Sequence, residues 1–138
     1  MDSKEVVAYL ETAEEQLKDA EMVFKGGRHA LCVFLSASSA ESATSALIIS
    51  LGAKPSRRHR NSLVLYKLAL SASPKLQQGL KEMIEFMKAL EPHITRARYP
   101  ILRGLDLLPP SKFYTREIAE RALAQAREVL EKAKLLLS

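Results

Sequence analysis

Hydrophobic residues recur at intervals of three and four along most of the chain, which is the period of an amphipathic helix. The first such stretch runs from about Ser3 to Lys25, and Gly26-Gly27 ends it because glycine readily adopts the left-handed conformation that closes a helix. The pattern predicts a long helix with one buried face. Its apolar stripe consists of Val6, Leu10, Ala13, Leu17, Ala20 and Phe24.

The second predicted helix, from about Arg28 to Leu51, is apolar or small around nearly its whole circumference. The hydrophobic stretch from Ala30 to Leu51 is about as long as a membrane span, but it contains Glu41 and many serines. We therefore interpret it as the central helix of a bundle, and we expect no membrane association.

Three further helices are predicted. One runs from about Asn61 to Ser71, with Asn61 or Ser62 as its N-cap. The next begins at Ser73-Pro74 and continues to about Ala97 with an interruption at Pro92. Residues 101–113 show no helical period and predict a long irregular loop. The last helix, from about Thr115 to Leu137, carries a narrow alanine seam that allows close helix packing.

No segment shows the strict alternation that is typical of a strand. Residues 1–138 are therefore predicted to form one all-α domain, an up-and-down bundle of about five helices.

Charge is distributed unevenly along the chain, whose formal net charge is +5. No acidic residue lies between Glu41 and Glu82, or again between Glu91 and Asp106, and these two segments contain many basic residues. The first 25 residues carry seven acidic side chains, Asp2 among them, against three lysines. We expect one basic face and one acidic face.

Composition also excludes several classes of site. The single cysteine, Cys32, leaves no partner for an internal disulfide or a paired-cysteine zinc site, and we expect it to be a small buried hydrophobic residue. Neither a cofactor nor a metal is implied by any motif. The N-terminus resembles no secretion signal or transit peptide, so a cytoplasmic location is expected.

Several short motifs occur in an order that resembles the HEPN family. Ser39-Ala40-Glu41 is similar to the family's Ala-Ala-Glu, and Gly52-Ala53-Lys54-Pro55 is similar to its Gly-x-x-Pro connection. The segment RRHRNSLVLYKL is similar to its His-Asp-Leu or His-Ser-Leu segment, and Arg98-Tyr99-Pro100 matches its Arg-Tyr-Pro. The resemblance covers roughly residues 8–137. Two departures are Ser45, where the family has lysine, and His59, which is displaced from the family's histidine position.

The resemblance implies a bundle like that of the nucleotidyltransferase substrate-binding proteins. It also implies a homodimer and a toxin–antitoxin pairing with a minimal nucleotidyltransferase, for which the alanine seam would offer a contact surface. Catalytic HEPN ribonucleases carry an arginine followed four to six residues later by histidine. No arginine stands at that distance before His29, His59 or His93, so a non-catalytic member is indicated.

Two groups of residues are candidates for binding a ligand. Glu41 lies in the middle of the central helix, and we hypothesise that it pairs with Arg98 or another basic residue of the fourth helix. A structural ion pair or an exposed carboxylate is the alternative. The basic run before the third helix favours a phosphate, helped by the amides of the helix start. A solvated basic turn is its alternative. The full predicted set is Glu41, Arg57, Arg58, His59, Arg60, Asn61, Arg96, Arg98 and Tyr99.

Three functions remain open from the sequence. The first is a protein that binds nucleotide or RNA phosphates through the two acid-free segments. The second is a helical adaptor that binds another protein and no nucleotide. The third is a ribonuclease that uses other residues. A polar, open pocket between the second and fourth helices would favour the first function over the second.

Overall fold

Six helices and one two-stranded hairpin form the part of the chain that the computed structural model describes, residues 3–138. Asp2 of the acidic N-terminal segment lies outside the described residues. The helices are α1 (Lys4–Lys25), α2 (His29–Ser50), α3 (Asn61–Ala69), α4 (Pro74–Leu90), α5 (His93–Arg96) and α6 (Arg116–Leu137). Strands β1 (Ile101–Arg103) and β2 (Asp106–Leu108) and a 3₁₀ turn (Pro110–Lys112) lie between α5 and α6. The predicted all-α bundle is confirmed.

Three of the long helices begin at a hydroxyl side chain that accepts a hydrogen bond from the first turn. Ser3 accepts from the amide of Val6 at 3.1 Å. Ser73 caps α4 and Thr115 caps α6 in the same way. Such caps satisfy amide groups that have no partner within the helix, and this is why the start points were visible in the sequence.

Helix α2 is the centre of the bundle. It packs against α1, α3, α4, α5 and α6. Its length and composition would suit a membrane span, but 72% of its most apolar window is buried inside the fold. This burial confirms the interpretation as a core helix. Cys32 is fully buried in it, as expected, and burial raises the pKa of its thiol.

The alanine seam of α6 lies inside the bundle. Ala119, Ala126 and Ala133 are fully buried, and the helix packs against α1, α2 and α4. Small side chains let these helix axes approach closely. The seam is therefore used within the chain, and the expectation that it would serve a partner protein is wrong.

The predicted interruption at Pro92 is confirmed: α4 ends at Leu90, and Pro92 caps a separate short helix, α5, because proline cannot continue the hydrogen-bond ladder. The prediction for the following segment is wrong. Residues 101–108, expected to be irregular, form an antiparallel hairpin in which Leu102 faces Leu107. Gly104 supplies the left-handed turn, with φ +64°. Each strand has only three residues, mostly exposed, so no alternating pattern marks it in the sequence.

Candidate functional site

An open recess of about 390 Å³, with polar and apolar lining residues, lies between the start of α3 and the α4–α5 junction. No residue of α2 lines it, so it is not a pocket between the second and fourth helices. Arg58, His59 and Arg60 approach it from the loop before α3, and Lys88 and Thr95 approach it from the opposite wall. The remaining lining residues are Ser62, Leu63, Glu91 and Pro92. Four of the nine are basic, so the recess suits an anion.

The loop that carries the basic run is held by local hydrogen bonds. The Ser56 hydroxyl accepts from the amides of Arg58 at 3.0 Å and Arg60 at 3.1 Å. His59 adopts a left-handed conformation with φ +59°, which is uncommon for a residue other than glycine. This tight turn leaves residues 57–60 exposed to solvent.

Asn61, predicted to contact a ligand, is a structural residue. Its side chain is 1% exposed, and its Oδ1 accepts from the amide of Ser56 at 2.9 Å. Its Nδ2 faces three acceptors on α2: the carbonyl of Glu41 at 3.2 Å and the hydroxyls of Thr44 and Ser45 at 2.9 and 3.0 Å. These bonds fasten the loop and the start of α3 to the central helix, so the amide is not available to a ligand.

Glu41 pairs with a histidine and not with the fourth helix. Its Oε1 lies 2.6 Å from Nδ1 of His59, and the two side chains are 28% and 46% exposed. The expected partner, Arg98, instead lies 5.3 Å from the Phe34 ring centre and 5.2 Å from that of Tyr99. Its Nε donates to the carbonyl of Ile94. Glu41 sits on a partly exposed side of α2, within reach of the loop, which is why the predicted pairing is wrong.

The start of α3 already holds an anion, the carboxylate of Glu91. The amide and hydroxyl of Ser62 donate to Oε2 and Oε1 of Glu91 at 2.8 and 2.7 Å, and both residues are buried. Burial raises the pKa of Glu91, while the Ser62 hydrogen bonds and the charge of Arg60 oppose this rise. The predicted side-chain cap by Asn61 or Ser62 is not formed. A phosphate in the recess would therefore depend on basic side chains and not on these amides.

The second acid-free segment reaches the recess only through Pro92 and Thr95, neither of which is charged. Arg98 lines a different groove of about 540 Å³, together with Arg28, Leu31, Phe34 and Ser111. Tyr99 lies against Arg98 and is exposed. Arg57 and Arg96 are exposed and line neither cavity. The predicted convergence of both segments on one recess is therefore not what the structure shows.

The arginines between residues 28 and 103 form no ion pair. Across residues 3–138, none of them lies within 4.0 Å of a carboxylate oxygen. In α6, by contrast, Arg127 bonds Glu21 at 2.7 Å and Lys132 bonds Glu82 at 2.6 Å. The arginines between residues 28 and 103 thus have positive charge available for an external anion, whereas much of the charge on α6 is neutralised internally.

Comparison with known proteins identifies the family of this chain. The sequence matches the HEPN domain over residues 6–136. The chain belongs to the HEPN domain family. It is 33% identical to the Methanocaldococcus jannaschii protein named Putative toxin MJ1304, over 129 residues that cover 89% of this chain and 82% of that protein.

Two solved structures share the HEPN fold of this chain. TT1696 from Thermus thermophilus superposes with a TM-score of 0.72 and 25% identity, covering 95% of this chain and 97% of that one. ST0689, described as an archaeal HEPN homologue, superposes with a TM-score of 0.74 and 25% identity over the whole of both chains.

Sequence reasoning missed the opposite wall of the recess, whose polar residues are Lys88, Glu91 and Thr95. They recur at intervals of three and four, so they share one side of the α4–α5 region, and this spacing was the available signal. Nothing in the sequence indicated that this side faces the loop before α3. That contact depends on how the start of α3 packs against the end of α4, and these two ends are more than 20 residues apart in the sequence.

His93 of α5 and Tyr114, just before α6, form a partly buried contact that is sensitive to acid. Burial lowers the pKa of His93 from 6.5, and Arg96 adds to the effect. Burial raises the pKa of Tyr114 to about 12, and its hydroxyl lies 2.8 Å from Nδ1 of His93, within hydrogen-bonding distance. Protonation of His93 would place a positive charge in this partly buried position, which burial and the charge of Arg96 both oppose.

We expect the free energy of unfolding to fall as the pH drops through the lowered pKa of His93. The unfolded chain takes up the proton first, so the contribution of His93 is complete above its ordinary pKa and is lost below it. Urea denaturation at about pH 7.5 and about pH 5.5 would measure this. His93→Gln should show a smaller loss than the unsubstituted chain, and equal losses would contradict the assignment.

Proposed function

We propose that this HEPN protein binds the phosphate groups of RNA or of a nucleotide at the recess before α3. It would do so as one member of a toxin–antitoxin-type pair whose partner is a minimal nucleotidyltransferase. The observation that carries the proposal is the group of basic side chains in the recess, with arginines that have no carboxylate partner among residues 3–138. A relative named as a toxin supports the pairing.

The chemistry of the recess favours a phosphate that stays exposed to solvent. Guanidinium groups bind phosphate oxygens through two parallel hydrogen bonds, and Arg58 and Arg60 are both exposed at the rim. Glu91 contributes negative charge at the floor. Binding should therefore be weak and strongly dependent on salt, since exposed ionic contacts release counterions.

We expect Arg58→Ala/Arg60→Ala to weaken binding of a short mixed-sequence RNA by about tenfold or more at low salt. The slope of log affinity against log salt should decrease in magnitude by about two, because two phosphate contacts are lost. Filter binding over a salt series measures both quantities. Arg121→Ala/Lys81→Ala also removes two positive charges, from exposed positions of α6 and α4 outside the recess, and serves as a matched control. Equal losses in both double variants, or no loss in Arg58→Ala/Arg60→Ala, would overturn the recess assignment.

A second function is favoured by the Glu41–His59 pair. Because a carboxylate accepts hydrogen bonds, it directs the proton of His59 to Nδ1 and leaves Nε2 as a base at the edge of the recess. Such a base next to two arginines would suit cleavage of RNA. His59 would take the proton of the RNA's 2′-hydroxyl, the 2′-oxygen would bond to the adjacent phosphorus, and the 5′-oxygen of the next nucleotide would leave and take up a proton from the imidazolium or from water. This is the ribonuclease that uses residues other than the family's arginine–histidine motif.

We expect no cleavage if the protein only binds RNA, and cleavage abolished by His59→Ala if the pair is catalytic. Incubation of a labelled RNA with excess protein, followed by analysis of the products, would distinguish these outcomes. Glu41→Gln is the diagnostic variant, because it keeps a hydrogen-bond acceptor but removes the charge. Cleavage that survives His59→Ala would eliminate the pair as its source.

A further inference from the structure

One side of α3, with the C-cap that follows it, presents apolar side chains to solvent. Leu63, Tyr66 and Leu70 are 48%, 56% and 67% exposed, and their spacing of three and four residues places them on one side of the helix. The other side is buried, since Leu65 and Ala69 belong to the core. Contiguous exposed apolar surface of this kind often marks a contact with a ligand or a partner. We call Leu63, Tyr66 and Leu70 the α3 stripe.

The α3 stripe begins at the recess. Leu63 lines the recess together with Arg58, His59 and Arg60. Tyr66 follows about one helical turn later, and Cβ atoms at this spacing are roughly 5–6 Å apart on a helix. A nucleotide chain with a phosphate at the arginines can therefore reach Tyr66 with a base. The basic recess and the apolar stripe form one continuous surface.

The ring of Tyr66 is available for stacking. Among residues 3–138, no other aromatic ring and no guanidinium group packs against it. Tyr99, by contrast, is covered by Arg98, and Tyr114 contacts the rings of His93 and Phe113. Tyr66 is therefore an exposed ring whose partner is not supplied by the described part of the chain.

The charge around the α3 stripe suits a polyanion. No acidic residue occurs from position 42 to position 81, and Arg60 and Lys67 are exposed. Glu91, in the floor of the recess, is buried and bonded to Ser62. An apolar protein segment would need no such positive charge, whereas a single-stranded nucleic acid brings phosphates and the faces of its bases together. In a duplex the bases stack on each other and cannot cover a side chain on the outside.

We infer that the protein binds single-stranded RNA with a phosphate in the recess and a base stacked on Tyr66, between Leu63 and Leu70. The inference rests on the proposed phosphate binding, and it adds the class of nucleic acid and the residue that recognises it. Stacking tolerates any sequence, because every base has a π face. Duplex RNA should gain no affinity from Tyr66.

Removing the ring and removing the bases should have the same effect. Tyr66→Ser should weaken binding of a labelled single-stranded RNA about tenfold. An abasic oligonucleotide of the same length, which keeps the sugars and phosphates, should bind the unsubstituted chain as weakly as RNA binds Tyr66→Ser. Tyr66→Ser should not weaken binding of the abasic oligonucleotide further, because the stacking contact is already absent. Filter binding at low salt measures all four affinities.

Two variants serve as controls. Tyr66→Phe keeps the ring and should keep the affinity for RNA. Tyr9→Ser removes an exposed tyrosine of α1, one turn after Glu5 and outside the recess, and should have little effect. Circular dichroism checks that each variant is folded.

Three results would overturn the stacking contact. Equal affinity of the unsubstituted chain for RNA and for the abasic oligonucleotide would show that no base is bound. Equal losses for both ligands in Tyr66→Ser would show that the ring acts through the fold. Undiminished RNA binding by Tyr66→Ser would leave the α3 stripe to a protein partner. Arg58→Ala/Arg60→Ala separates these failures from failure of the proposed function, because it should weaken binding of both ligands whether or not Tyr66 stacks.

Discussion

Asn61→Ala should lower the free energy of unfolding by about 3 kcal/mol, since it leaves several buried polar groups without partners. The Asn61 side chain accepts from the amide of Ser56 and donates to acceptors on α2, including Thr44 and Ser45. Its loss would release the loop before α3, including the turn that positions Arg58 and Arg60. Urea denaturation monitored by circular dichroism measures the change.

Ser71→Ala removes a polar group from an exposed loop and is the matched control, with an expected change below about 0.5 kcal/mol. RNA retention by Asn61→Ala, measured where the variant is still folded, separates the two roles of the residue. If the role of Asn61 is structural, the substitution should reduce the free energy of unfolding by more than it reduces the free energy of RNA binding. Weakened RNA binding with unchanged stability would restore Asn61 as a ligand-binding residue.

The helices were predictable because the information for each is local. Caps such as Ser73 and stop signals such as Gly26-Gly27 act within a few residues of the boundary they set. The apolar circumference of α2 similarly predicted a helix contacted on many sides, and the fold surrounds it with five others. The period of the hydrophobic residues indicates which side of a helix is buried, and the buried sides determine how these helices pack together.

The recess was only half predictable because its second wall depends on distant contacts. The density of arginines indicated the wall that the basic run forms. The opposite wall depends on the hydrogen bond between Glu91 and Ser62, which lie 29 positions apart in the sequence. The pairing of Glu41 was misjudged for a related reason. The left-handed backbone conformation of His59 brings its imidazole to Glu41. No sequence pattern predicts this conformation at a residue other than glycine. Arg98, meanwhile, is held by the rings of Phe34 and Tyr99.

Glu91 is expected to affect stability and RNA binding in opposite directions. Glu91→Ala should lower the free energy of unfolding by about 2 kcal/mol, because the buried amide and hydroxyl of Ser62 lose their acceptor. Glu91→Gln should cost much less, since its oxygen can accept from the amide while its NH₂ group donates to the hydroxyl. Both variants remove negative charge beneath Arg60 and Lys88 and should therefore bind RNA more tightly.

The glutamine variant is the decisive one because its fold should be nearly unperturbed. We expect its affinity for a short RNA at low salt to rise by about threefold to tenfold, the effect of removing one like charge near a phosphate. Glu11→Gln on α1 deletes the same charge at an exposed position outside the recess, where the carboxylate makes no ion pair within residues 3–138, and should have little effect. If Glu91→Gln and Glu11→Gln change the affinity equally, the phosphate responds only to net charge. That result would contradict the assignment of the recess as the RNA-binding site.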